Sequence, residues 1–358
     1  MTSHMASNPI VEHKQQTRQS SCARVGTHAL NKESKMAARN ILNNQTLFHI
    51  ARRLYSSSTD KNVAFLGLGN MGGFMAANLV KKGFTVRGYD PSKDAMTAAA
   101  KNGVTSASSI AAAVDGVDVI VSILPSNKVV LEAYIGKDGV VQHARKGALL
   151  IDSSTVDPNV PKEIHPVAIA KGVGFIDAPV SGGVMGAQNA TLAFMAGGRK
   201  EDFDRSIPHL QAMGAKQFHC GDIGAGQVAK LTNNMLMGIT GMATAECMHM
   251  GIKAGLDPKV LLDVLNNSSA RSWSTEVYCP VPGLVPTAPS SRNYDGGFKN
   301  ELMVKDLELA SGMALGIRSP IPLGAVATQL YRIVQSRGYG QKDFSYVFQL
   351  LKDDAEKK

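Results

Sequence analysis

The sequence predicts a doubly wound parallel α/β sheet in its first half and an all-helical second half. Two observations predict the sheet: a strand, glycine turn, helix and strand over residues 62–90, and four later apolar strand candidates separated by helical patterns. A third predicts the helices, because beyond Gly226 the apolar residues recur at three- and four-residue intervals.

The chain has 358 residues, 44% hydrophobic and 19% charged, which permits a sizeable core and argues against wholesale disorder. No apolar run reaches the ~18 residues that a membrane helix needs, so no membrane partner is expected. The formal net charge is +9, but residues 1–60 carry eight Lys/Arg against three Asp/Glu, or +5, which leaves +4 for the rest. The basic balance therefore sits largely in a leader. There is no Cys/His finger spacing and no aromatic-interleaved basic stretch, so nucleic acid is not expected as a partner. Cys22, Cys220, Cys247 and Cys279 are widely separated, as suits free thiols in a reducing compartment; no metal site is expected.

Residues 1–60 read as a leader. From Met36 to Ser58 there is no Asp or Glu. Arg39, Arg52 and Arg53 alternate with Ile41, Leu42, Leu47, Phe48, Ile50 and Leu54, and the stretch ends in three serines. That is the composition of a mitochondrial transit peptide, and it points to the matrix. Residues 1–35 are polar and patternless and precede a second possible start at Met36.

The fold is expected to begin at Asn62. Asn62–Leu66 is short, apolar and bounded by glycine, as a buried parallel strand should be. It runs into Gly67-Leu68-Gly69-Asn70-Met71-Gly72, a G-x-G-x-x-G turn, and then into a helix with Met75, Leu79 and Val80 on one side. A second strand, Thr85–Tyr89, ends at Asp90. Gly67 permits the tight turn, Gly69 lets the backbone approach a pyrophosphate at the helix start, and Gly72 lets helix and strand pack closely. Asp90 stands where an acid accepts hydrogen bonds from an adenosine ribose and repels a 2′-phosphate, which favours NAD over NADP. This is the signature of a Rossmann-type domain.

Val117–Leu124, Ala148–Asp152, Gly174–Asp177 and Leu192–Met195 continue the strand rhythm. In such sheets ligands bind at the carboxyl ends of the strands, where Leu124, Pro125 and Thr155 fall. Asp177-Ala178-Pro179-Val180-Ser181-Gly182-Gly183 follows one strand. Ser181 offers a hydroxyl, and Gly182 and Gly183 leave backbone amides uncovered for a carboxylate. After GDIGAG (221–226) a long helix is expected from near Gln227, with Val228, Leu231, Met235, Ile239 and Met242 as its apolar stripe. Lys230 and Asn234 lie one turn apart on one face. A lysine there is either solvated or, if partly buried at the positive helix end, an amine of lowered pKa suited to proton transfer. Pro258–Leu265, Leu302–Leu315 and Ala325–Val334 show helical spacing, and Pro280–Arg292 reads as a loop. Trp273 and Phe298 are expected in core packing rather than as walls of the site.

Taken in order, GLGNMG, DAPVSGG, the spacing Gly221, Gly224, Gly226, Lys230, Asn234, and Lys305-Asp306-Leu307 resemble the β-hydroxyacid dehydrogenases from about residue 62 to 353. The resemblance implies an NAD-binding domain over residues 61–223 and a helical domain over 224–358, joined by a long helix. It implies Lys230 as general acid/base, and Ser181, Gly182, Gly183 and Asn234 as substrate-binding residues. It adds Leu124, Pro125, Thr155 and Lys305 to the cofactor contacts of the glycine loop and Asp90. One position departs: where some members present Asn to the cofactor this chain has Val129, with Ser126 or Asn127 as substitutes. The reaction implied is NAD-linked oxidation of a small 3-hydroxy acid, 3-hydroxyisobutyrate, to methylmalonate semialdehyde in valine breakdown, by a homodimer or homotetramer. Alternatives are a relative reducing glyoxylate or succinic semialdehyde, and a catalytically inactive nucleotide-binding module.

Overall fold

The structure is a computed structural model that describes residues 60–356, with side chains as far as Lys352. The expected leader lies outside the described residues except for Asp60. Six strands run parallel: β1 (Asn62–Leu66), β2 (Thr85–Tyr89), β3 (Thr105–Ser106), β4 (Val119–Ser122), β5 (Leu149–Asp152) and β6 (Gly174–Asp177). Their spatial order is β3-β2-β1-β4-β5-β6. The winding reverses between β1 and β4, which opens a crevice at their carboxyl ends.

The strands β4, β5 and β6 are buried along their whole length, which explains their unbroken apolar character. Side chains alternate between two cores. Phe65, Val121, Ile151 and Ile176 enter one, and Leu66, Ile120, Leu150 and Phe175 enter the other. The faces are covered by α1 (Gly72–Lys81), α2 (Lys93–Ala100), α3 (Ile110–Val114), α4 (Asn127–Ile135), α5 (Asn159–Ala170) and α6 (Lys200–Met213), among other shorter elements. Ser92, Ser109 and Ser126 cap α2, α3 and α4 through their hydroxyls.

The parallel rhythm ends at β6. The strand expected at Leu192–Met195 is β8 (Leu192–Gly197), which runs antiparallel to β6 and to β7 (Val180–Ser181). A last strand, β9 (Gly214–Gly221), pairs parallel with β8. Its sequence, GAKQFHCG, has no apolar run because most of it is exposed, so no periodicity announces it.

The helical half is built around α7 (Ala225–Lys253), whose 29 residues span about 44 Å. Around it pack α8 (Pro258–Asn266), α9 (Asn300–Gly316), α10 (Pro322–Val334) and α11 (Val347–Glu356). Met242, Met248, Met303, Leu307, Tyr331 and Phe344 share its core. The expected stripe on α7 holds for Leu231 and Met242, which are buried, but Val228 is exposed. In the first turns the buried face is polar instead: Gln227, Lys230 and Asn234. The helix packs both on the sheet edge at β8 and β9 and on α9, to which Asn234 is bonded through Asp306. No described helix is long and apolar enough to cross a membrane.

Candidate active site

The glycine turn lies at the β1–β4 switch. Gly67 has φ +87°, and a Cβ on it would stand 2.2 Å from the Ile123 carbonyl oxygen. A Cβ on Gly72 would stand 1.9 Å from the Gly67 oxygen. Both positions therefore exclude a side chain within the protein itself. Gly69 differs: a Cβ there meets nothing within 4 Å. Open space lies beside it at the start of α1, where a helix presents free amides to an anion. Leu68 and Gly72 are buried, Met71 is half-buried and Asn70 exposed. Asp90 accepts from Leu68 N at 2.7 Å and Ser92 N at 2.8 Å, which locks the turn to the end of β2. Its half-buried oxygens keep further lone pairs for ribose hydroxyls.

The turns after β4 and β5 are tied to one another. Ser154 Oγ accepts from Leu124 N at 2.8 Å and donates to Asp152 Oδ1 at 2.5 Å; Ser122 Oγ donates to the same oxygen at 2.7 Å. Asp152 is fully buried, and burial pushes its carboxyl above the usual range. Pro125 is exposed beyond this turn. Ser126 is occupied in capping α4, and Asn127 Oδ1 accepts from Asp157 N at 3.1 Å. Val129 is 38% exposed. Both candidates to replace the missing Asn thus already hold structural bonds.

The other wall begins at α7. Gln227 donates through Nε2 to Ser154 O at 2.8 Å and accepts from Val156 N at 3.1 Å, so the helix start is stitched across the turn that carries Thr155. One turn on, Lys230 is only 6% exposed. Its Nζ donates to Asn234 Oδ1 at 3.1 Å, and Asn234 Nδ2 donates to Asp306 Oδ2 at 2.6 Å. Lys305, on α9, donates to Thr155 O at 2.9 Å and lies 3.2 Å from Asp306 Oδ1. Burial lowers the Lys230 pKa to about 8; Asp306 pulls it up and Lys305 pushes it down. An amine so placed exchanges a proton near neutral pH.

Ser181 ends β7 and is half-buried; Gly182 has φ +130° and Gly183 φ +61°. A Cβ on Gly183 meets nothing within 4 Å, so its backbone stays approachable. This segment joins the Lys230 helix through β6: Asp177, four residues before Ser181, accepts from Gly224 N at 2.6 Å and Gln227 N at 2.9 Å. Hydrogen bonds thus draw together Lys230 with Asn234, Lys305 with Thr155, and Leu124 with the Thr155 turn through Ser154. Gln227, Asp306, Asp177 and Asp152 were not singled out from the sequence. Gln227 carries a signal, since it lies three residues before Lys230 on the same face. Asp306 adjoins Lys305, but a buried acid and a solvated one look alike in sequence. Trp273 is exposed and stacks on Tyr278, contrary to its expected core role, while Phe298 packs against Phe344 in the core.

The fit to a dinucleotide is good. The turn has open space where a pyrophosphate must come, and an acid stands beside the ribose position. Fold and site together define an NAD-linked dehydrogenase of two parts, a doubly wound domain and a helical one. Two family models match: the NAD-binding domain of 6-phosphogluconate dehydrogenase over residues 62–221, and the NAD-binding domain of NADP-dependent 3-hydroxyisobutyrate dehydrogenase over residues 224–351. The probable mitochondrial 3-hydroxyisobutyrate dehydrogenase of Dictyostelium discoideum is 46% identical over 299 residues, covering 84% of this chain and 93% of that one. The mitochondrial enzyme of that name from Rattus norvegicus is 46% identical, covering 86% and 92%. A solved Mycobacterium tuberculosis 3-hydroxyisobutyrate dehydrogenase, described with L-serine, superposes with TM-score 0.78 at 42% identity, covering 81% and 99%. The chain belongs to the 3-hydroxyisobutyrate dehydrogenase family.

Proposed function

We propose that this protein oxidises 3-hydroxyisobutyrate to methylmalonate semialdehyde with NAD, as a step of valine breakdown in the mitochondrial matrix. The buried Lys230 amine carries the reading: it has a fixed acceptor in Asn234 and a pKa of about 8. In this reading Gly67–Gly72 and Asp90 hold the dinucleotide, with Leu124, Pro125, Thr155 and Lys305 beside it. NAD, when bound, accepts the hydride from the alcohol carbon. The substrate carboxylate rests on the backbone of Ser181, Gly182 and Gly183. Lys230 takes the hydroxyl proton, and a positioned base of this kind contributes about 10²–10⁴-fold. The bond from Asn234 to Asp306 supports an orienting role for Asn234, with its carbonyl turned to the amine. Asp90 would repel a 2′-phosphate, which supports NAD over NADP.

The domain limits 61–223 and 224–358 are supported by the two family matches, and the leader by its composition and the mitochondrial relatives. A homodimer or homotetramer is supported by exposed Val260, Val264, Leu323 and Val326 on the helical half, and light scattering would measure its mass. L-serine, described with the solved relative, is a second candidate, because it replaces the substrate's methyl group by an ammonium. The test is NADH formation with a panel of hydroxy acids, wild type against Lys230→Ala. Turnover of 3-hydroxyisobutyrate that vanishes in the variant is expected. Preference for L-serine would transfer the assignment, and full activity in the variant would end it.

A further inference from the structure

We propose that Asp177 is a positioning residue of this reaction, an inference that rests on the Lys230 oxidation above: its carboxylate clamps the first turn of α7 to the end of β6 and so sets the distance between Lys230 and the Ser181–Gly183 segment.

Helix α7 brings no cap of its own. Its N-cap is Gly224, at φ +88°, and its first turn contains no acid. The cap comes from Asp177, about fifty residues back in the chain, which takes Gly224 N on one oxygen and Gln227 N on the other. The space for it is kept by two glycines from different elements. A Cβ on Gly197 would stand 2.6 Å from Asp177 Oδ1, and a Cβ on Gly226 would stand 2.6 Å from Oδ2. Asp177 is fully buried, so water does not compete for these bonds. Lys230 lies one turn after Gln227, and Ser181 lies four residues after Asp177. A single carboxylate therefore bridges the strand that leads to the anion segment and the helix that carries the amine.

The clamp needs two acceptor oxygens. An amide offers one oxygen and turns its NH₂ toward the other N–H; a protonated acid likewise loses one acceptor. The groups facing the carboxylate are Asp152 from β5, Cys220 from β9 and the two amides of α7, while β8 presents the bare Gly197. Burial, with a lesser push from Asp152, raises the Asp177 pKa to about 7. The clamp then weakens as pH falls through neutrality, while Lys230 only gains its proton.

Reduction of methylmalonate semialdehyde by NADH separates the two groups. It needs protonated Lys230, so the amine alone gives a rate that is flat below pH 8. An acid limb near pH 7 that disappears in Asp177→Asn belongs to Asp177; one that persists belongs to another buried acid such as Asp152, whose carboxyl burial also pushes up. In Asp177→Asn, kcat is expected to fall on the order of 10²-fold, the effect of roughly 1 Å of misplacement. The acid limb is expected to vanish, and NAD affinity to fall less than kcat, because Asp90 holds the glycine turn to β2 independently of α7. A kcat within twofold of wild type, or an acid limb that persists in the variant, overturns the proposal; simple destabilisation would leave the limb in place. Hydrogen exchange of the amides at Gly224 and Gln227 gives a readout that needs no substrate and, in the wild-type enzyme, no variant. Corrected for intrinsic rate, wild-type protection there should drop between pH 8 and pH 6, and be low at both in Asp177→Asn. If no hydroxy acid is turned over, the functional reading fails by itself. Protection that is indifferent to pH and to the substitution overturns the clamp.

Discussion

In the proposed reading the glycine turn and the start of α7 are the two walls of one site, and they are built in opposite ways. The turn is local: β1, residues 67–72 and the start of α1 are contiguous, and its specificity lies in backbone that excludes side chains. The start of α7 is assembled from distance. Asp177, Gln227, Lys230, Asn234 and Asp306 come from β6, α7 and α9, joined by bonds that span 47–72 residues except within the helix. In the proposed reading the first wall takes a cofactor by leaving space. The second tunes a proton by filling it, because burial is what lowers the Lys230 pKa.

Substitutions can break this contrast. Lys230→Ala should have the largest effect, removing turnover by at least about 10²–10⁴-fold while leaving the NAD dissociation constant nearly unchanged; kcat and fluorescence titration with NADH check both. Gly69→Ala should do the reverse. Its Cβ meets nothing in the protein, so the thermal midpoint should stay within about 2 °C. NAD affinity should fall by at least about tenfold, or ~1.4 kcal/mol, by calorimetry. A large loss of stability would mean that the space at Gly69 serves the fold rather than a ligand.

The pH dependence sharpens the second wall. With neutral Lys230 as the proposed base, oxidation should rise as pH passes through about 8 and then level off. Asp306 raises that pKa, so Asp306→Asn should move the rise to lower pH, as a rate profile would record. The smallest expected effect is at Asp90. Asp90→Ala should cut the preference for NAD over NADP by roughly tenfold, one lost charge–phosphate discrimination. An unchanged ratio would leave Asp90 only as a brace for Leu68 N and Ser92 N.

What was legible in the sequence follows the same division. The glycine turn and Asp90 could be read because each depends on neighbours along the chain. Lys230 and Asn234 could be placed on one helix face by spacing. The Asn234–Asp306 bond and the Asp177 cap could not, since nothing local distinguishes a buried carboxylate from a solvated one. Val228 was misplaced for a related reason: a period of 3.6 finds a face but does not say whether a sheet edge or a helical core lies opposite. The strand β9 was missed because an exposed strand carries little apolar pattern.

A crystal structure with NAD and a non-reacting analogue of 3-hydroxyisobutyrate tests the Lys230 mechanism most directly. The expected result places Lys230 Nζ about 3 Å from the alcohol oxygen, with the carboxylate on Ser181–Gly183 and the nicotinamide on the opposite side of the carbon. An analogue bound with its hydroxyl turned away from Lys230, toward another titratable group, would contradict it.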